Sequence, residues 1–102
     1  VWLDLAAAGL SPDGAVVDAS GTFWVALWGA GCVNGYAPDG TLIAAHEIGG
    51  AHATCPAFGG AELNDLYVTT ATEGITGALA DNGKTFCLSG ISKGQPEHQV
   101  IL

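Results

Sequence analysis

A six-residue phrase occurs twice in this chain. GTFWVA (21–26) returns as NDLYVT (64–69), and WLDL (2–5) returns as AHEI (45–48), both after 43 residues. Pro12 leads an apolar stretch in the first copy and Pro56 leads one in the second. A period of ~40–45 residues made of short strands is the pattern of a propeller blade, in which four antiparallel strands form one unit and units stack face to face. A repeat of this kind restricts the fold more than any single motif, because each unit must bury its faces on a neighbour.

The segments between the turn residues agree with it. TFWVALW (22–28), CVNGY (32–36), TLIAAHEI (41–48), DLYVTTA (65–71), KTFCLS (84–89) and HQVIL (98–102) are short and rich in β-branched or aromatic residues, and Gly, Asp, Asn and Pro separate them. The best helical candidate, ITGALA (75–80), is short and contains a glycine. The chain is therefore expected to be all-β, a β-propeller segment. Residues 1–5 are read as the outer strand of a preceding blade, 14–48 as a four-stranded blade, and 55–102 as a last blade with a longer loop at 72–82. Val17, Phe23, Val25, Tyr67 and Val68 are expected on the stacked faces. Two blades and a strand do not close a ring, since propellers use roughly 4–8 blades. The expected partners are thus the remaining blades, from the same chain or from other copies.

Composition narrows the function. The chain has 102 residues, 49% apolar and 12% charged, which suits one small folded domain. Ten acidic side chains face only Lys84 and Lys93, a net charge of −8, which argues against nucleic acid or an anionic membrane as partner. No apolar run approaches the ~18 residues of a membrane span, and no basic-then-apolar leader is present. With no methionine, the chain reads as a segment. Cys32, Cys55 and Cys87 are odd in number and lack CxxC spacing. They read as small thiols in a reducing compartment, which points to the cytoplasm.

The stretch PDGAVVDASGTFWVALWGAGCVNGYAPDG (12–40) resembles PDG-x-x-x-D-x-x-G-x-x-W-x-A-x-W-G-G-G-x-V-x-R-Y-x-P-x-G of the SMP-30/gluconolactonase/regucalcin-like (LRE-like) family. CPAFGGAELNDLYVTTA (55–71) is similar to the family's Phe-Gly-Gly before Leu-Tyr-Val-Thr, and GQPEHQVIL (94–102) to its C-terminal end. The resemblance implies the last third of a six-bladed propeller that hydrolyses sugar lactones with one divalent metal ion (Ca, Zn, Mg, Mn or Fe). Cys32 and Gly35 stand where the family commonly has arginine, a departure that bears on substrate preference.

The two Pro-Asp-Gly turns differ by place. The turn at 38–40 fits an ordinary hairpin, with Pro at the second position and Gly last. The turn at 12–14 opens an innermost strand and aims Asp13 at the central channel. By resemblance, Asp13 matches the family's metal-binding aspartate and is also the catalytic candidate, as general base or as the group that orients the attacking water. Hard divalent ions prefer oxygen ligands, so a carboxylate suits the task. The other ligands implied, a Glu from a first blade and an Asn from a middle blade, lie outside this sequence. Trp28 and His52 fall on the same rim and are the substrate-pocket candidates, with inter-blade packing the plain alternative for Trp28 and a solvated loop the plain alternative for His52. Asp18 reads as a turn cap, Trp24 as inter-blade core, and His46 and His98 as surface residues of outer strands. The leading expectation is a segment of a metal-dependent sugar-lactone hydrolase that is inactive by itself. The alternatives are a non-catalytic propeller scaffold and a calcium-binding, regucalcin-like protein.

Overall fold

A computed structural model of the chain describes residues 1–73 and 81–102. The candidate helix at 75–80 lies outside the described residues, as does most of the expected 72–82 loop. Among the described residues, seven strands form two antiparallel sheets in which neighbours in sequence are neighbours in space. The first holds β1 (Pro12–Val17), β2 (Phe23–Leu27), β3 (Cys32–Tyr36) and β4 (Leu42–Glu47) in that order. The second holds β5 (His52–Gly59), β6 (Asp65–Ala71) and β7 (Thr85–Leu88).

The apolar run FWVAL shows no alternation because β2 is covered on both faces. Trp24 and Ala26 point to one side, and with Val33 they join Ala53, Leu66 and Val68 of the second sheet in a shared core. Val25 and Leu27 point to the other side, where they pack with Tyr36 and Leu5. Val25, Leu27, Leu66 and Val68 are fully buried, and each such side chain contributes about 1.5–3 kcal/mol over an exposed one. Trp24, expected in the core between sheets, is there. Of the residues expected on stacked faces, Val25 and Val68 are buried, Phe23 is half-buried, and Val17 and Tyr67 are exposed.

Three segments depart from expectation. Residues 2–5 form no strand. A strand needs a neighbour to take its backbone groups, and the described residues offer none. The segment instead buries Leu5 against Val25 and Leu27, and Trp2 meets Phe23 edge-on at 5.5 Å. Residues 98–102 also form no strand, so the second sheet has three strands among the described residues rather than four. After β7 the chain turns away from that strand's free edge. Ile91 N–H donates to Asn64 O (3.0 Å) and Ala19 N–H donates to Lys93 O (2.8 Å). A bridge between Asp18 and Gly94 carries the chain across to the first sheet. Lastly, His52, for which a rim loop is the plain alternative, opens β5.

Candidate functional site

The sheets meet along β1 and β5, and Gly14 marks a point of closest approach. A Cβ there would lie 2.7 Å from Cys55 Sγ and 2.8 Å from the Thr54 carbonyl oxygen, so only glycine fits. Asp13 precedes it. The ladder loses register between Pro12, which faces Leu27, and Ala15, which faces Val25, so Asp13 and Gly14 sit in a bulge. Bulges re-aim side chains, and the Asp13 side chain is exposed.

The same end of the sheets carries the other two candidates. Trp28 N–H donates to Ser11 O at 2.9 Å, two residues before Asp13. Trp28 and His52 form an isolated bridge, and their rings stack at 3.7 Å between centroids and 24° between planes. The turn after β2 is docked by two further bonds, Gly31 N–H to Ala51 O (2.9 Å) and Ile48 N–H to Gly31 O (2.9 Å). His52 is only 8% exposed, so it is not a solvated loop residue: the ring is covered by Trp28, and its Nδ1 lies 2.8 Å from the Glu73 carbonyl oxygen. Because a carbonyl can only accept, that bond places a proton on Nδ1. Trp28 is 40% exposed. Asp13, Trp28 and His52 therefore share one rim, within two or three residues of each other's backbone contacts.

Asp18 occupies the other end of β1. It is 2% exposed, and its carboxylate accepts four hydrogen bonds: Ser20 N–H and Thr22 N–H on Oδ1 (2.9 Å each), and Trp24 Nε1–H (3.0 Å) and the Ser92 hydroxyl on Oδ2. Burial pushes its pKa up, but the bonds from Ser92, Trp24, Thr22 and Ser20 together outweigh this and hold the group below the ordinary aspartate value. It is a turn cap, as the sequence indicates, and also a clasp between the two sheets. Ser92 gives no sign of this in sequence, being 74 residues away.

Asp39 lies at that far end too. Gly40 N–H donates to Ala37 O (2.8 Å), and Thr41 N–H donates to Asp39 Oδ1 (2.9 Å), the bonds of an ordinary hairpin turn. Its bonds to Thr41 lower the Asp39 pKa. His46 sits half-buried in β4, its ring 6.0 Å from that of Trp24, while His98 is exposed and lies outside any strand.

Among the described residues, no three His, Cys, Asp or Glu side chains converge. One exposed carboxylate does not hold a divalent ion, so the residues of this chain do not by themselves fit the implied metal. Nor is any helix among the described residues long and apolar enough to cross a membrane.

Two stacked antiparallel sheets that keep a bulged aspartate and a Trp–His stack at one rim describe adjoining blades of a propeller. The family described as the SMP-30/gluconolactonase/LRE-like region matches residues 1–72, and the chain belongs to that family. A relative from Rhizobium meliloti (strain 1021) is 45% identical over 89 residues, 83% of this chain and 30% of its own. Pentonolactonase XacC of Haloferax volcanii is 37% identical over 94 residues, 84% of this chain and 32% of its own. Among solved structures, a calcium-binding protein, regucalcin, from Agrobacterium tumefaciens superposes with a TM-score of 0.94 at 39% identity, over 100% of this chain and 36% of its own. The chain is thus a propeller segment spanning about a third of the length of the relatives it matches.

Proposed function

We propose that the chain is the part of a sugar-lactone hydrolase that carries one wall of its active site. The observation behind this reading is the bulge at Pro12–Ala15, which exposes the Asp13 carboxylate at the rim where the inner strands meet. The lactonase among the relatives supports the reaction class. Two sheets in about a third of the relatives' length agree with a ring of roughly six blades, so blades beyond this chain complete the site. Lactone hydrolysis joins the oxygen of water to the carbonyl carbon, breaks the ring ester bond, and passes one proton of that water to the released ring oxygen, which becomes a hydroxyl. Asp13 is the group proposed to take the proton from that water or to orient it. It is also the proposed oxygen ligand of this chain for one divalent ion, whose other ligands lie on the remaining blades. Trp28 and His52 are the proposed pocket residues. The proposed setting is soluble and cytoplasmic, in sugar metabolism.

The test is a metal-titrated lactone assay on the complete protein, on Asp13→Ala, on Asp39→Ala and on the 102-residue chain by itself. Asp13→Ala should lose activity and bind the ion more weakly, Asp39→Ala should keep both, and the isolated chain should be inactive. Near-normal turnover in Asp13→Ala, or an equal loss in Asp39→Ala, would remove Asp13 from the site. A complete protein that binds calcium yet hydrolyses no lactone would support the calcium-binding reading instead.

A further inference from the structure

Trp28 and His52 differ in a way that separates their tasks. Two aromatic rings stacked at 3.7 Å exclude water from the shared face. His52 lies beneath, 8% exposed, and its ring cannot turn freely because Nδ1 is tied to the Glu73 carbonyl at 2.8 Å. Trp28 lies outside, 40% exposed, with its backbone fixed at Ser11 and its ring fixed by His52. An indole held on one face and bare on the other has a surface ready to meet a ligand. Here order is supplied from below and the outer surface is left free.

We propose that Trp28 is a platform for the apolar face of the sugar ring, and that His52 is a positioning residue that acts through it. A lactone ring presents C–H groups on its faces and hydroxyls around its edge. The C–H face suits an indole, whose π-surface is negative and attracts the slightly positive hydrogens. Such a contact fixes the plane of the ring beside Asp13 without competing for the hydroxyls. It is made equally in the ground state and the transition state, so it acts on KM more than on kcat. His52 contributes by its ring shape and its bond to Glu73, not by touching substrate. This inference rests on the lactonase reading of the rim.

The experiment uses the complete protein with D-glucono-1,5-lactone for turnover and D-gluconate for binding by calorimetry. Trp28→Ala should raise KM and the gluconate Kd roughly tenfold, the size of one aromatic stacking contact, with a much smaller change in kcat. Trp28→Phe should lie between. His52→Ala should raise KM less than Trp28→Ala, His52→Phe should restore most of it, and His52→Ala should add nothing in the Trp28→Ala background. Thermal unfolding of each variant separates these effects from misfolding. Wild-type hydrolysis with an unchanged KM and Kd in Trp28→Ala would overturn the platform while leaving the lactonase intact. A protein that hydrolyses no lactone but loses gluconate binding in Trp28→Ala would overturn the lactonase and keep the platform. Independent, additive effects of the two residues would overturn the positioning role of His52.

Discussion

The ring of Trp24 occupies the space that a side chain at Gly35 would need. The two residues face each other across β2 and β3, and a Cβ at residue 35 would come within 2.9–3.0 Å of three atoms of the six-membered ring. With the indole where it lies, a Cβ at residue 35 would force the Trp24 ring to shift. Gly35→Ala should cost about 1–3 kcal/mol by overpacking, and the larger Gly35→Arg should cost more. Trp24→Leu should remove most of the added penalty, so the two changes should be strongly non-additive in urea unfolding of the complete protein. An unchanged midpoint in Gly35→Ala would contradict this packing.

Gly14 makes a different demand, because part of what it meets is backbone. Gly14→Ala should destabilise by about 1–3 kcal/mol. Trimming the neighbour in Gly14→Ala/Cys55→Ala should recover only part of the loss, since the Thr54 carbonyl oxygen stays 2.8 Å from the new Cβ. Full recovery would mean that the thiol alone sets the spacing of β1 and β5.

The Asp18 clasp predicts a pH signature. Its pKa is lowered in the folded state, so the unfolded chain binds the proton more readily. The stability it adds is fully present above the ordinary aspartate value of about 3.9, and is lost as the pH falls from there through the lowered folded value. Asp18→Ala strands four donors, two of them backbone, and should cost about 3 kcal/mol or more near pH 7. The gap between wild type and Asp18→Ala in thermal unfolding should stay constant from neutral pH down to about 5 and shrink below about 4. A gap that widened in acid would reverse the sign assigned to this group.

Cys32 offers a test of charge across a strand pair. It faces Glu47 between β3 and β4. Burial raises its thiol pKa, and the carboxylate of Glu47 raises it further. Less thiolate at a given pH means slower alkylation. Glu47→Gln removes the second cause, so iodoacetamide labelling of Cys32 near pH 8 should quicken a few-fold, read by peptide mass spectrometry. No change in rate would mean that burial alone controls the thiol.

Local chemistry marked five of the seven strands among the described residues, but not β1 or β5. β3 and β6 lie where CVNGY and DLYVTTA stand, and β2, β4 and β7 fall within one residue of the apolar runs, because β-branched and aromatic side chains between Gly, Asp and Pro leave few alternatives to a strand. The turn at 38–40 and the capping role of Asp18 were likewise readable, since both depend on bonds to residues two to four away. What tertiary structure decided involves distance along the chain. Nothing local places Ser92 on Asp18, Gly35 under Trp24 or His52 under Trp28, since each contact depends on how two strands or two sheets come to rest. Residues 2–5 and 99–102 have strand-like composition but form no strand. A strand is stable only when another backbone takes up its hydrogen bonds; residues 2–5 pair with none among the described residues, and the chain after β7 leaves that strand's free edge to bond near Asn64, Ala19 and Asp18 instead.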